Sequence, residues 1–90
     1  MKYTIFRTSS FKKAFKKLPS NNQDLVLDVI TKLADGESLE AKYKGHLLTG
    51  NIKDCRECHV KPDLLLVYRI NDSELELILV EVGSHAQLFG

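Results

Sequence analysis

Apolar side chains recur at Phe11, Ala14, Phe15 and Leu18, while Lys12, Lys13, Lys16 and Lys17 fill the gaps between them. Steps of three and four put the apolar groups on one helical face and the ammonium groups on the other. Thr8-Ser9-Ser10 offers hydroxyls for an N-cap, and Pro19 stops the helix. A second, wider stripe follows at Leu25, Val26, Val29, Ile30 and Leu33. Ser20-Asn21-Asn22-Gln23 has the spacing of a capping box at its start, and Gly36 can take the left-handed conformation that closes it.

Elsewhere the period falls to two. Tyr3-Thr4-Ile5-Phe6 is β-branched and aromatic and predicts a short strand. Residues 37–51 predict a loop that is long for a chain of 90 residues. Residues 52–60 alternate, residues 64–70 are almost uniformly apolar, and residues 74–82 alternate again after the turn Asn71-Asp72-Ser73. Gly83 breaks the last run, and Ser84-His85-Ala86-Gln87 can cap a final helical turn carrying Leu88 and Phe89. The order βααβββ predicts one α+β domain over residues 1–90. Two N-terminal helices pack on one face of a mostly antiparallel four-stranded sheet.

Charge adds an asymmetry. Residues 1–17 carry Lys2, Arg7, Lys12, Lys13, Lys16 and Lys17 and no acid, which suits either a solvated helix face or a grip on phosphate backbones. No apolar run nears the roughly 20 residues that span a bilayer, and Met1 to Arg7 lacks the apolar core of a secretory signal. The expectation is a cytoplasmic protein, without a membrane partner, whose Cys55 and Cys58 stay reduced.

The candidate chemistry centres on Arg56-Glu57-Cys58-His59-Val60-Lys61-Pro62-Asp63. Lys61-Pro62-Asp63 predicts a turn, so His59 and Asp63 flank a hairpin tip. Alternation sorts Cys55, Glu57 and His59 to one face and Arg56, Cys58 and Val60 to the other. Cys58 and Val60 suit the core, so Glu57 and His59 are expected to look outward together. Arg56 fits poorly on a core face. Cys55-Arg56-Glu57-Cys58-His59 has the lettering of a haem-attachment or zinc motif. Strand geometry points the two thiols apart, so packing for Cys58 and a free surface or edge thiol for Cys55 is the better reading. His46, His59 and His85 all lie outside the continuous apolar runs, and with Asp63 they form a set suited to proton transfer near neutrality.

Taken in order, Tyr43-Lys44-Gly45-His46, Leu48, Gly50, Lys53, the run from Arg56 to Asp63, Val67-Tyr68 and Gly83-Ser84-His85-Ala86-Gln87-Leu88-Phe89 resemble the YafQ branch of the RelE/ParE superfamily. The resemblance implies the microbial-RNase-like version of the βααβββ fold and a type II toxin that cleaves messenger RNA in the ribosomal A site. Its pocket residues map onto His46, His59, Asp63, His85 and Phe89. His85 is then expected as general acid and His59 or Glu57 as base, with His46 and Asp63 positioning or tuning them. Phe89 stacks on a base. The family commonly has arginine where this chain has Glu81, so Arg56, Lys53 or Lys61 must supply the positive charge, or activity is reduced. Lys12, Lys13, Lys16 and Lys17 would hold ribosomal RNA. No cofactor and no metal are expected, and the partners are a cognate antitoxin and the ribosome. The rival is a binding module on the same fold that engages an antitoxin or another target without cutting RNA.

Overall fold

A computed structural model describes residues 1–37, 46–47 and 55–89, with His46, Leu47 and Phe89 described by their backbone. The elements are β1 (Thr4–Arg7), α1 (Ser9–Lys16), α2 (Ser20–Ala34), β2 (His46–Leu47), β3 (Arg56–Lys61), β4 (Leu64–Asn71), β5 (Glu76–Gly83) and α3 (His85–Phe89). The sheet order is β1-β5-β4-β3-β2; β1 runs parallel to β5 and the other pairs are antiparallel. The βααβββ frame is the one expected. The two-residue β2 is an addition inside the segment read as loop, where it extends the sheet beyond β3.

Local chemistry accounts for most boundaries. Thr8 caps α1, its Oγ1 accepting from the Phe11 N–H at 3.0 Å and donating to the Val80 carbonyl at 2.6 Å. Gly36 sits at φ +79°, and the Gly36 and Glu37 N–H groups donate to the Leu33 and Lys32 carbonyls. That is the Schellman ending that glycine at this position permits. The capping box expected at Ser20 does not form: α2 has no side-chain cap, and Gln23 Nε2 donates instead to the Phe15 carbonyl at 2.9 Å. Gln23 therefore ties α2 to the end of α1, adding a second donor to a carbonyl that already accepts from the Leu18 N–H, rather than capping its own helix.

The helices cover one face of the sheet. Phe11, Val26, Val29, Ile30 and Leu33 bury against Cys58, Leu66, Tyr68, Leu77, Leu79 and Val82. Phe11 stacks on Phe15 with ring centres 5.6 Å apart. The other face also has buried positions, namely Cys55, Glu57, Leu65 and Val67. Tyr3 fastens β1 to the far turn, its hydroxyl donating to Asp72 Oδ1 at 2.6 Å. β5 begins at Glu76, two residues later than its alternation suggested, because the turn before it includes Leu75 at φ +53°.

Candidate functional site

Two rungs of the sheet organise the site. In the first, His46 pairs with Glu57, Glu57 with Val67 and Val67 with Glu81. In the second, His59 pairs with Leu65 and Leu65 with Gly83. Adjacent strands stand about 4.8 Å apart, so the backbones at His59 and Gly83 are about 10 Å apart across Leu65. Glu57 and His59 share a face, as alternation required. Glu57, however, is buried and His59 half-buried, so the expectation that both look out into solvent is corrected. The face turned away from the helices is not a water face: Leu65 and Val67 on it are fully buried.

His85 reaches this end of the sheet through a short capped helix. Ser84 Oγ accepts from the Gln87 N–H at 3.1 Å, Gln87 Oε1 accepts from the Ser84 N–H at 2.8 Å, and the Leu88 N–H donates to the Ser84 carbonyl. This reciprocal cap holds the start of α3, where His85 is exposed. A Cβ on Gly83 would come within 2.8 Å of Gln87 Oε1, so the absence of a side chain there lets the cap close. Gln87 caps the helix that carries His85, and the Ser-x-x-Gln spacing was its signal.

Asp63 is exposed in the two-residue turn Pro62-Asp63. Positive φ among the described residues is confined to Gly36 and Leu75, so this turn lacks the mirror-image geometry that hairpins favour. An irregular register between His59 and Lys61 takes up the mismatch. One effect is that Lys61 pairs with Leu64 of the helix-side core, and its Nζ donates to Asn22 Oδ1 of α2 at 3.2 Å. Arg56 pairs with Tyr68, another helix-side residue, and is exposed. Arg56 and Lys61 are thus on the opposite sheet face from Glu57 and His59. Lys53, the side chain of His46 and that of Phe89 lie outside the described residues.

Other cations do approach α3. Lys13 and Lys17 line a cleft of about 400 Å³ with Ser10, Glu81, Val82, Gln87 and Leu88. Sequence alone gave no sign that α1 and α3 share a cleft, because no local pattern encodes which helix lies beside the end of β5.

The thiols are buried and free of a disulfide, Cys55 included, against the expectation of a surface or edge thiol there. Burial, helped by the neighbouring Glu57 carboxylate, pushes the Cys58 thiol up to about 12. A thiol so held stays protonated at neutral pH and is a poor nucleophile or metal ligand. Among the described residues, no three His, Cys, Asp or Glu side chains cluster closely enough to hold a metal ion.

A family model described as the bacterial toxin YafQ of type II toxin–antitoxin systems matches residues 3–90. The chain belongs to the YafQ toxin family. It is 44% identical over 52 residues to the mRNA interferase toxin YafQ of Escherichia coli K12, a match covering 58% of this chain and 54% of that protein. The match thus spans about half the length of that curated relative. Among solved structures, a metal-bound toxin from Helicobacter pylori superposes with a TM-score of 0.88 and 47% identity, over 97% of this chain and 99% of that one. The E. coli DinJ–YafQ toxin–antitoxin complex gives 0.86 and 30% identity over the whole of both chains. Against this YafQ frame Glu81 stands out: it shares a rung with Val67 and Glu57 and lines the cleft of Lys13 and Lys17.

Proposed function

We propose that this YafQ-family chain is the toxin of a type II pair, a cytoplasmic endoribonuclease that cuts messenger RNA in the ribosomal A site. The observation that carries the reading is the rung His59–Leu65–Gly83, followed two residues later by His85 on the capped α3. Two imidazole-bearing segments are held by one rung of the sheet, on either side of buried Leu65. The family match supports the same reading.

RNA carries its own nucleophile. The base, His59 or buried Glu57, takes the proton of the 2′-OH, and that oxygen bonds to the adjacent phosphorus. The bond from phosphorus to the 5′-oxygen breaks, and His85 protonates the departing oxygen. The products are a 2′,3′-cyclic phosphate and a 5′-OH, and DNA, lacking the 2′-OH, is not cut. His46 and Asp63 orient or tune these groups, and Phe89 stacks on a base, a contact worth about 1–3 kcal/mol in other systems. Charge building on the phosphate needs a cation. Lys13 and Lys17 share a cleft with α3 and suit that task better than Arg56 or Lys61. With Lys12 and Lys16 they also hold ribosomal RNA. The chemistry as written needs no metal, and cutting is expected to continue in a chelator.

The test is to map message ends on translating ribosomes after inducing the wild-type chain and His85→Gln. Wild type should leave 5′-OH ends within codons, and the folded variant should leave none. Growth arrest with intact messages would overturn the nuclease in favour of a binding module. Loss of cutting in chelator, restored by copper or zinc, would overturn the metal-free chemistry.

A further inference from the structure

An exposed aromatic ring stands on the sheet face that carries Glu57 and His59. Phe6 of β1 pairs with Ile78 of β5, and Ile78 pairs in turn with Arg69 of β4. Their chain neighbours Ile5, Leu77 and Ile70 pack into the helix-side core, so strand alternation puts Phe6, Ile78 and Arg69 on the opposite face. That face is shared with Leu65, which lies between His59 and Gly83 and precedes Arg69 on the same strand. At about 3.3 Å per residue the two rungs are about 13 Å apart along β4. Phe6 is 46% exposed and Arg69 is exposed, while Ile78 between them is half-buried. Glu76, on the next rung, is half-buried and accepts from Asn71 Nδ2 at 3.5 Å. An edge strand has no need of a ring in water, since threonine would serve its β propensity as well.

We propose that the rung Phe6–Ile78–Arg69 is a second contact for single-stranded RNA, in which a base stacks on the Phe6 ring and a backbone phosphate rests on the Arg69 guanidinium. The proposal rests on the RNA-cutting reading above and extends the bound strand along the same face, a few nucleotides from the scissile phosphate. Size favours a base over a protein. The apolar part is one ring and one isoleucine, edged by Thr4, Asn71 and Arg69, whereas a specific protein interface buries about 800 Å² per partner around an apolar centre. A single base needs no more than the ring. Two strand spacings separate Phe6 from Arg69, about 10 Å at the backbone, and the long arginine side chain can reach into that span towards a phosphate. Stacking does not read the 2′-OH, so this contact holds RNA and single-stranded DNA alike, and only cutting tells them apart. It therefore acts on binding and leaves the chemical step alone.

The chain contains no tryptophan, so Phe6→Trp puts a reporter at the site and keeps a ring there. The probes are a 2′-O-methyl oligonucleotide, which has no free 2′-OH to attack, and single-stranded DNA of the same sequence. Both should quench the Phe6→Trp fluorescence, and this variant should bind them as tightly as wild type in anisotropy titrations of labelled probe. Phe6→Thr keeps a strand former and removes the ring. It should weaken binding of both probes by about five- to a hundredfold and raise KM for message cutting with kcat unchanged. Arg69→Gln should weaken binding and lessen its salt dependence by about one phosphate contact. His85→Gln should bind both probes as wild type does, so failure of the nuclease reading would leave this contact standing. Unquenched fluorescence with probe bound, or equal affinity of Phe6→Thr and wild type, would overturn the proposal. So would fluorescence that changes on adding the antitoxin, or on raising the concentration of the chain, but not with either probe, since a protein would then own the ring.

Discussion

Ser84 and Gln87 cap each other: each side-chain oxygen accepts the other's backbone N–H, at 3.1 and 2.8 Å. The pair lies on the exposed surface, so its contribution to global stability is small, yet it decides where His85 stands. Gln87→Ala should lower the rate constant for message cutting by about ten- to a hundredfold through misplacement of the acid, with little change in KM. The melting temperature should move by less than about 1 kcal/mol warrants. Gln87→Glu keeps a carboxyl oxygen at the third position and should restore cutting. Gly83→Ala displaces Gln87 Oε1 and should add nothing to Gln87→Ala in the double variant. Equal kinetics for wild type and Gln87→Ala would remove the cap from the account.

Leu75 holds φ at +53° with its side chain 46% exposed. A branched aliphatic residue in the left-handed region costs about 1–2 kcal/mol relative to glycine, and its exposure recovers little by burial. Leu75→Gly or Leu75→Asn should therefore stabilise the fold by about 1 kcal/mol in denaturant melts. Destabilisation by both would mean that Leu75 earns its place through contacts.

Alkaline pH should weaken the fold. Burial pushes the Tyr68 hydroxyl up to about 12, with the charge of Cys58 adding and that of Arg56 opposing, and the Cys58 thiol rises to about 12 as well. Groups with raised folded values bind protons more tightly when folded. Their stabilisation is whole below the ordinary values of 9.0 and 10.0 and drains away as pH climbs towards 12. Thermal melts should be flat with respect to these groups up to about pH 9 and fall beyond it. Cys58→Ala costs stability at every pH, but its decline should begin nearer pH 10.

The basic helix has two flanks. Lys12 and Lys16 line an apolar groove between α1 and α2, Lys17 lines the cleft beside α3, and Lys13 touches both. Lys17→Glu should weaken ribosome association, flatten its salt dependence and slow message cutting, since Lys17 shares the cleft beside α3. Lys12→Glu with Lys16→Glu should weaken ribosome association but leave the cutting rate of bound message unchanged. Identical behaviour of the two variants would merge the flanks into one surface.

Much of this was readable from periodicity. Thr8 and Gly36 cap as their chemistry demands, and the spacing of Ser84 and Gln87 announced α3. Alternation put Glu57 and His59 on one face, but it cannot say whether the face away from the helices meets water. Burial of Leu65 and Val67 shows that here much of it does not. Arg56 looked misplaced because a helix-side parity was equated with burial; next to Tyr68 it is exposed all the same. Gln23 had the spacing of a cap and was taken by Phe15 instead, a tertiary choice that outweighs a local rule. The sharing of a cleft by Lys13, Lys17 and α3 depends on which strand lies beside which, and no local spacing encodes that.

Among the described residues strand β1 pairs with β5, and Thr8 reaches Val80 across 72 residues of sequence. The ladder of β1 therefore waits for a strand about 70 residues further along, although the Lys2 and Tyr3 N–H groups already reach the Ala34 carbonyl. Until β5 leaves the exit tunnel the basic helix hangs from a strand without its ladder partner, and His85, which follows β5, is still inside. Docking of β1 against the sheet, and with it the seating of α1 beside β5, can therefore come only after β5 is outside the ribosome.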